Sequence, residues 1–166
     1  MKVIIEKEED LEKETEKRIM KMKKQFKREP TIKLFENKEK YDQIIAQIGI
    51  PFSALCEHHH VSFEGGVSIA YIPDKYLTGL SKLARIVEYY LNPTIKTIQE
   101  RATKQILDCL IKTLKPRGAM VVIKARHGCI CYRGVKKPSW TVTSAVYGVF
   151  RKNLSARQEL LSLLKL

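Results

Sequence analysis

Two amphipathic helical segments follow one another near the middle of the chain, with strand-like runs on both sides. "GLSKLARIVEYYL" (79–91) places Leu80, Leu83, Ile86, Val87 and Tyr90 on one side at helical spacing. Asn92 and Pro93 break it, and Thr94 is expected to cap a second helix, "IKTIQERATKQILDCLIKTL" (95–114). Upstream, "YDQIIAQIGIPFSAL" (41–55) and "VSIAYIP" (67–73) are β-branched and aliphatic, and Gly65-Gly66 is expected to form the turn between them. Downstream, the Pro116-Arg117-Gly118 turn precedes "AMVVIKARHGCICYRG" (119–134), which alternates like a strand. "WTVTSAVYGVF" (140–150) follows. The order strand, strand, helix, helix, strand, strand predicts an α+β domain. Its apolar helix stripes would be buried on one face of a four-stranded antiparallel sheet.

The flanks are simpler. Residues 6–29 are helix-forming, acidic early and basic late, which suits the helix dipole, and Pro30 ends the run. "TIKLFEN" (31–37) is extended, and Leu154 to Leu166 reads as a short amphipathic helix. At 166 residues the chain is long enough for one domain with a substantial core. Residues 1–30 are assigned to an N-terminal helix and 31–166 to the main domain.

The composition, 44% hydrophobic and 30% charged, is that of a soluble globular protein. No apolar run approaches the ~20 residues that span a bilayer, and the first residues do not read as an export signal. Four cysteines are few for a disulfide scaffold, so they read as thiols or metal ligands in a reducing cytoplasm. The net charge of +13 is concentrated. Residues 101–137 carry ten Lys or Arg against a single carboxylate, Asp108. Such a stretch is either a solvated basic face or an anion site, for nucleic acid or a phosphorylated small molecule. It contains one aromatic residue, Tyr132, and so lacks the stacking platform of a nucleic-acid binder.

Two half-sites could hold a metal. "CEHHH" (56–60) offers Cys56 and His59, three apart, a workable pair where the chain turns tightly. "RHGCIC" (126–131) offers His127, Cys129 and Cys131, which period two would put on one face of a strand. Cys56 and Cys129 are 73 residues apart, so the halves can meet only through tertiary structure. Two thiolates and one imidazole would leave a fourth position for water, the pattern of a catalytic zinc. Four protein ligands would close a structural site. The surplus histidines suit acid–base work beside such a metal, or simple packing if the site is structural.

From Pro51 to Phe150 the chain resembles the GTP cyclohydrolase I family. "PFSALCEHHHVSFEGGVSIAYIP" is similar to that family's zinc segment. "GLSKLARIVEYY", "IQERATKQI", "ARHGCICYRG" and "TVTSAVYGVF" are similar to its later blocks, in the same order. "ETEKRIMKM" and "TIKLFENKEKYDQII" extend the likeness upstream, to roughly nine-tenths of the chain. The resemblance implies a tunnelling fold and makes 31–166 the catalytic domain. It implies Zn2+ held by Cys56, His59 and Cys129, with His58 and His127 as catalytic imidazoles. Glu100, Gln99 and backbone near Leu80 would hold guanine. Ser81, Lys82, Arg85 and Arg133 would surround the ribose and triphosphate, and Arg18 would reach the triphosphate from a neighbouring subunit.

The implied reaction is attack of water on C8 of GTP, ring opening and release of formate. Rearrangement of the ribose and ring closure then give 7,8-dihydroneopterin triphosphate. The implied assembly is a cytoplasmic homodecamer of two pentamers with shared sites, acting on GTP and on neither nucleic acid nor membrane. The alternatives are a tunnelling-fold relative acting on another purine nucleotide or a pterin, and a zinc-stabilised nucleic-acid-binding module. The chain departs from the family pattern in a shorter N-terminus and about two extra residues between Arg85 and Gln99. It also has His60 where an apolar residue is usual. His60 is expected to be a wall residue, and Cys109 and Cys131 packing thiols.

Overall fold

The computed structural model describes residues 8–26 and 29–164. Residues 6–7 and 27–28 of the expected first helix and 165–166 of the last lie outside those residues, and Glu29 is not helical. Helix α1 (Glu8–Phe26) leads into a small ribbon in which β1 (Leu34–Glu36) pairs antiparallel with β4 (Tyr76–Thr78). The main sheet has five strands rather than four: β2 (Ile45–Cys56), β3 (Ser62–Ile72), β6 (Gly118–His127) and β7 (Thr141–Gly148) are antiparallel in that spatial order, and the two-residue β5 (Lys96–Thr97) adds in parallel outside β2. Between β3 and β6 come α2 (Leu80–Tyr90) and α3 (Gln99–Leu114). The ββααββ order expected of a tunnelling fold is the one observed.

Alternation explains how the layers meet. Ala119, Val121, Ile123 and Ala125 of β6 point to one face, as do Val67, Ile69 and Tyr71 of β3. The helices answer with Leu83, Ile86 and Val87 from α2 and Ala102, Ile106, Leu110 and Leu114 from α3. All are buried in one cluster, which is the main core. The opposite residues, Ala70, Ile72, Met120 and Val122, form a second, smaller cluster. Phe150, from α5 (Val149–Lys152), and Leu160 and Leu164, from α6 (Leu154–Leu164), cover it. The two long helices therefore share one face, as expected, and the C-terminal helix adds a partial cover to the other. Among the described residues no helix is long and apolar enough to cross a membrane.

Three local expectations are corrected. Gly65 and Gly66 do not form the hairpin turn; they lie inside β3, paired with Phe52 and Pro51. The turn is instead at 57–60, closed by the His60 N–H donating to the Cys56 carbonyl at 2.8 Å, with His60 at φ 55°. Gly65 is needed where β3 meets β6 closely, since a Cβ there would lie 2.0 Å from the Lys124 carbonyl oxygen. Thr94 does not cap α3. Its N–H and hydroxyl both donate to Asn92 Oδ1, at 3.0 and 2.6 Å. The chain then extends as β5 (Lys96–Thr97), parallel to Leu55 and Cys56, and α3 begins only at Gln99. Finally, Cys129 and Cys131 are not on a strand. β6 ends at His127, and α4 (Gly128–Cys131) is a single helical turn. Gly128 packs against the β2–β3 turn, where a Cβ would meet Val61 Cγ1 at 2.6 Å and the Ser62 carbonyl at 2.8 Å.

Candidate metal centre and active site

These corrections are what assemble the site. Cys56 ends β2, His59 sits in the turn after it, and Cys129 rises on α4 beside that turn. One ligand atom from each of the three lies within 4.8 Å of the others. The turn is tied down on both sides. The Cys56 N–H donates to the Val61 carbonyl at 2.9 Å and the Glu57 N–H to the Thr97 carbonyl at 3.1 Å. An ion pair joins Glu57 to Arg101 on α3.

The donor set suits a metal on chemical grounds. Burial raises the pKa of the Cys129 thiol, and the neighbouring Cys56 raises it further, while Arg133 pulls it down. Two thiols crowded in this way ionise readily only when a cation takes up their charge. Sulfur and imidazole donors are the preferred ligands of zinc. Cys131, by contrast, is buried away from the donor cluster and reads as packing.

A cavity of about 300 Å³ opens beside these donors. His58, His127, Gln99 and Glu100 line it together with Cys56, His59 and Cys129, and Ile98, Ile130 and Thr141 complete its wall. His58 Nδ1 lies 3.9 Å from Cys56 Sγ. The His127 ring is stacked on Phe63, centroids 4.7 Å apart and planes 8° from parallel. Its Nε2 is 2.7 Å from Gln99 Oε1. Burial pushes the His127 pKa below the usual imidazole range, and the Glu100 carboxylate partly offsets this. Glu100 itself is exposed at the first turn of α3, and Gln99 is buried. Phe63 and the three wall residues lie inside the family-like blocks, but their residue types give no separate signal for a site. Phe63 looks like any inward aromatic of an alternating strand.

The remaining expected residues, apart from Arg133, fall elsewhere in the subunit. Arg133 follows α4 and is close enough for its charge to act on Cys129. Leu80, Ser81 and Lys82 occupy the first turn of α2. The other end of that helix leads to Ile95, whose carbonyl accepts from the Leu55 N–H next to Cys56. Eleven residues of helix separate the two ends, about 15 Å at ~1.5 Å per residue. Arg85 lines a different cavity with Gln25, Phe26, Glu29 and Glu88. Arg18 lies on α1. The structure thus joins the three candidate ligands, both histidines, Gln99, Glu100 and Arg133, and leaves the other phosphate-binding candidates apart.

Three sulfur and nitrogen donors that could hold a metal, with further imidazoles and a carboxylate around an adjoining cavity, are the arrangement of an enzyme site. Comparison with known proteins narrows the class. The GTP cyclohydrolase I family model matches residues 2–165, and this chain belongs to that family. GTP cyclohydrolase 1 of Aquifex aeolicus is 46% identical over 157 residues, covering 92% of this chain and 84% of that protein. The Gloeobacter violaceus protein of the same name is 48% identical over 125 residues, covering 75% and 58%. That of Pelotomaculum thermopropionicum is 49% identical over 129 residues, covering 76% and 68%. Among solved structures, apo archaeosine synthase QueF-Like aligns at a TM-score of 0.42 and 14% identity, over 71% of this chain and 96% of that one. That likeness is too loose to add to the assignment.

Proposed function

We propose that this chain converts GTP and water to 7,8-dihydroneopterin triphosphate and formate, the entry step of pterin and folate-type synthesis. The observation that carries the reading is the convergence of Cys56, His59, Cys129, His58, His127 and Glu100 on one cavity. Zinc held by Cys56, His59 and Cys129 would supply a Lewis acid that activates water near C8 of the base. Glu100, at the start of α3, accepts from the N1–H and 2-amino group of guanine and so sets the base in register. His127 and His58 move protons at the purine nitrogens as the ring opens and formate leaves. Phe63 holds the His127 ring flat against the core.

Phosphate binding argues for a shared site. Lys82, Arg85 and Arg133 are suited to grip a triphosphate through charge-assisted hydrogen bonds. Ser81, Lys82 and Arg85 lie along α2, away from the Cys56 end, so a neighbouring subunit brings them, and Arg18, to the nucleotide. The sheet is suited to such assembly. Among the described residues β7 is an edge strand and β5 covers only Leu55 and Cys56 of β2, so most of both outer edges is free of other described strands and suited to pairing. We read the assembly as a homodecamer of two pentamers in the cytoplasm, with 31–166 as the catalytic domain.

Base choice tests the reading. GTP should be consumed and ATP should not, because adenine lacks the donor pair that Glu100 accepts, a discrimination of roughly 10²-fold or more. Glu100→Gln should lose GTP turnover, whereas Lys82→Ala should weaken GTP and ATP binding alike. Near-normal GTP turnover by Glu100→Gln would overturn the assignment of the base reader.

A further inference from the structure

The geometry points to Gln99 as a positioning residue that fixes the tautomer of His127, with the hydrogen on Nε2 and a bare Nδ1 presented to the cavity. The catalytic consequence rests on the function proposed above; the tautomer does not.

Gln99 is only 1% exposed, and every polar atom of its side chain has a protein partner. Its Nε2 lies 3.0 Å from the Ile123 carbonyl, 3.2 Å from the Thr141 carbonyl and 3.1 Å from Thr143 Oγ1. Carbonyl oxygens only accept, so the NH2 end of the amide must face them. Turning the amide over would set its oxygen against two other oxygens in a buried place. Oε1 is therefore the atom that faces His127, at 2.7 Å. An amide oxygen has no proton to give, so His127 Nε2 carries the hydrogen.

The surrounding hydroxyls are directed the same way. Thr103 Oγ1 donates to the Gln99 backbone carbonyl at 2.7 Å. Its oxygen is then free to accept from Thr143 Oγ1, also at 2.7 Å. Thr143 Oγ1 in turn accepts from the Gln99 amide. Each proton in the circuit has one allowed direction, set by backbone carbonyls on β6, β7 and α3. The ring cannot evade the constraint by a half-turn. That would place carbon against Oε1, and the Phe63 ring already fixes its plane.

No described residue bonds to Nδ1, and the ring lines the cavity. Nδ1 is therefore the atom that His127 presents to a substrate there. A neutral amide suits this task, because it orients the ring through one hydrogen bond and adds no charge beside the donor cluster.

The test is nitrogen-15 magic-angle-spinning NMR of zinc-loaded protein labelled at histidine, at a pH where the ring is neutral. The chain has four histidines, and a His127→Asn sample identifies the signals that belong to His127. The expected result is a protonated Nε2 and a bare Nδ1; a bare Nε2 would overturn the proposal. Gln99→Met keeps length and removes the amide. It should give mixed tautomers and lower kcat by roughly 10- to 10²-fold, with KM for GTP within about threefold. A raised KM with kcat retained would instead make Gln99 a base reader and overturn the positioning role. If Gln99→Met does not fold, the wild-type spectrum alone decides. Wild-type protein that shows the Nε2–H form but leaves GTP untouched would refute the proposed function and leave the tautomer standing.

Discussion

Replacing Phe63 by alanine removes the wall on which His127 rests. Phe63 is 1% exposed, lies face to face with the imidazole at 4.7 Å, and meets Phe52 edge-on at 5.5 Å. Truncating a buried phenylalanine to alanine costs about 3–5 kcal/mol, and each aromatic contact accounts for roughly 0.5–1.5 kcal/mol of such a loss. A domain of ordinary stability, about 5–15 kcal/mol, survives that loss. In a chain of this size the melting temperature should fall by roughly 10 °C. The imidazole then has room to tilt, and misplacement of a reacting group by about 1 Å can lower turnover by as much as 10²-fold. Phe63→Leu separates the two effects, because it keeps most of the apolar volume and none of the flat ring. Calorimetry and steady-state kinetics on both variants, at equal protein concentration, are the assays. Leucine should recover most of the stability and little of the activity. Full kcat in Phe63→Leu would refute the claim that the ring holds His127.

Other outcomes follow from the same geometry. Cys56→Ser and Cys129→Ser should lose zinc and activity together while the two-helix core keeps the fold, as read by metal analysis and circular dichroism; fully active, zinc-loaded Cys129→Ser would remove it from the ligand set. Inactive Arg18→Ala mixed with inactive Cys129→Ser should recover part of the activity after subunit exchange, since a site that takes Cys129 from the first and Arg18 from the second is intact. Failure after demonstrated exchange would mean self-contained sites. Burial, with Cys109 beside it, pushes the Tyr90 pKa up to about 12. As pH rises from 10 towards 12 the unfolded chain loses this proton before the folded one, so stability falls across that window. Tyr90→Phe should flatten the fall in alkaline denaturation curves.

How much of this was legible in the sequence depends on the range of each signal. The α2 and α3 stripes repeat every three or four residues and could be read directly, as could the strand pairs around them. The metal donors were visible as residue types, and the family likeness grouped Cys56, His59 and Cys129. Their geometry was less accessible. Cys129 was expected on a strand with His127, but Gly128 turns the chain into α4 because it must fit under Val61. Thr94 offered a plausible cap, but ladder bonding of Lys96 and Thr97 to β2 delays α3 to Gln99. That delay carries Gln99 to His127. The side-chain partners of Gln99 lie 24 to 44 residues away in the chain, beyond any local pattern. The apparent Gly-Gly turn failed for a related reason: those glycines answer a neighbouring strand, not a reversal of their own.

The most direct measurement follows the carbon that the proposed reaction expels. GTP labelled with carbon-13 at C8 should be incubated with the zinc-loaded protein and the products followed by NMR. The account predicts that the label appears in formate, one formate for each molecule of fluorescent pterin formed after oxidation. Cys129→Ser should release none. GTP consumed to a diphosphate or monophosphate with the label still in the purine ring would contradict the account, as would label held in a ring-opened formamide that never becomes formate.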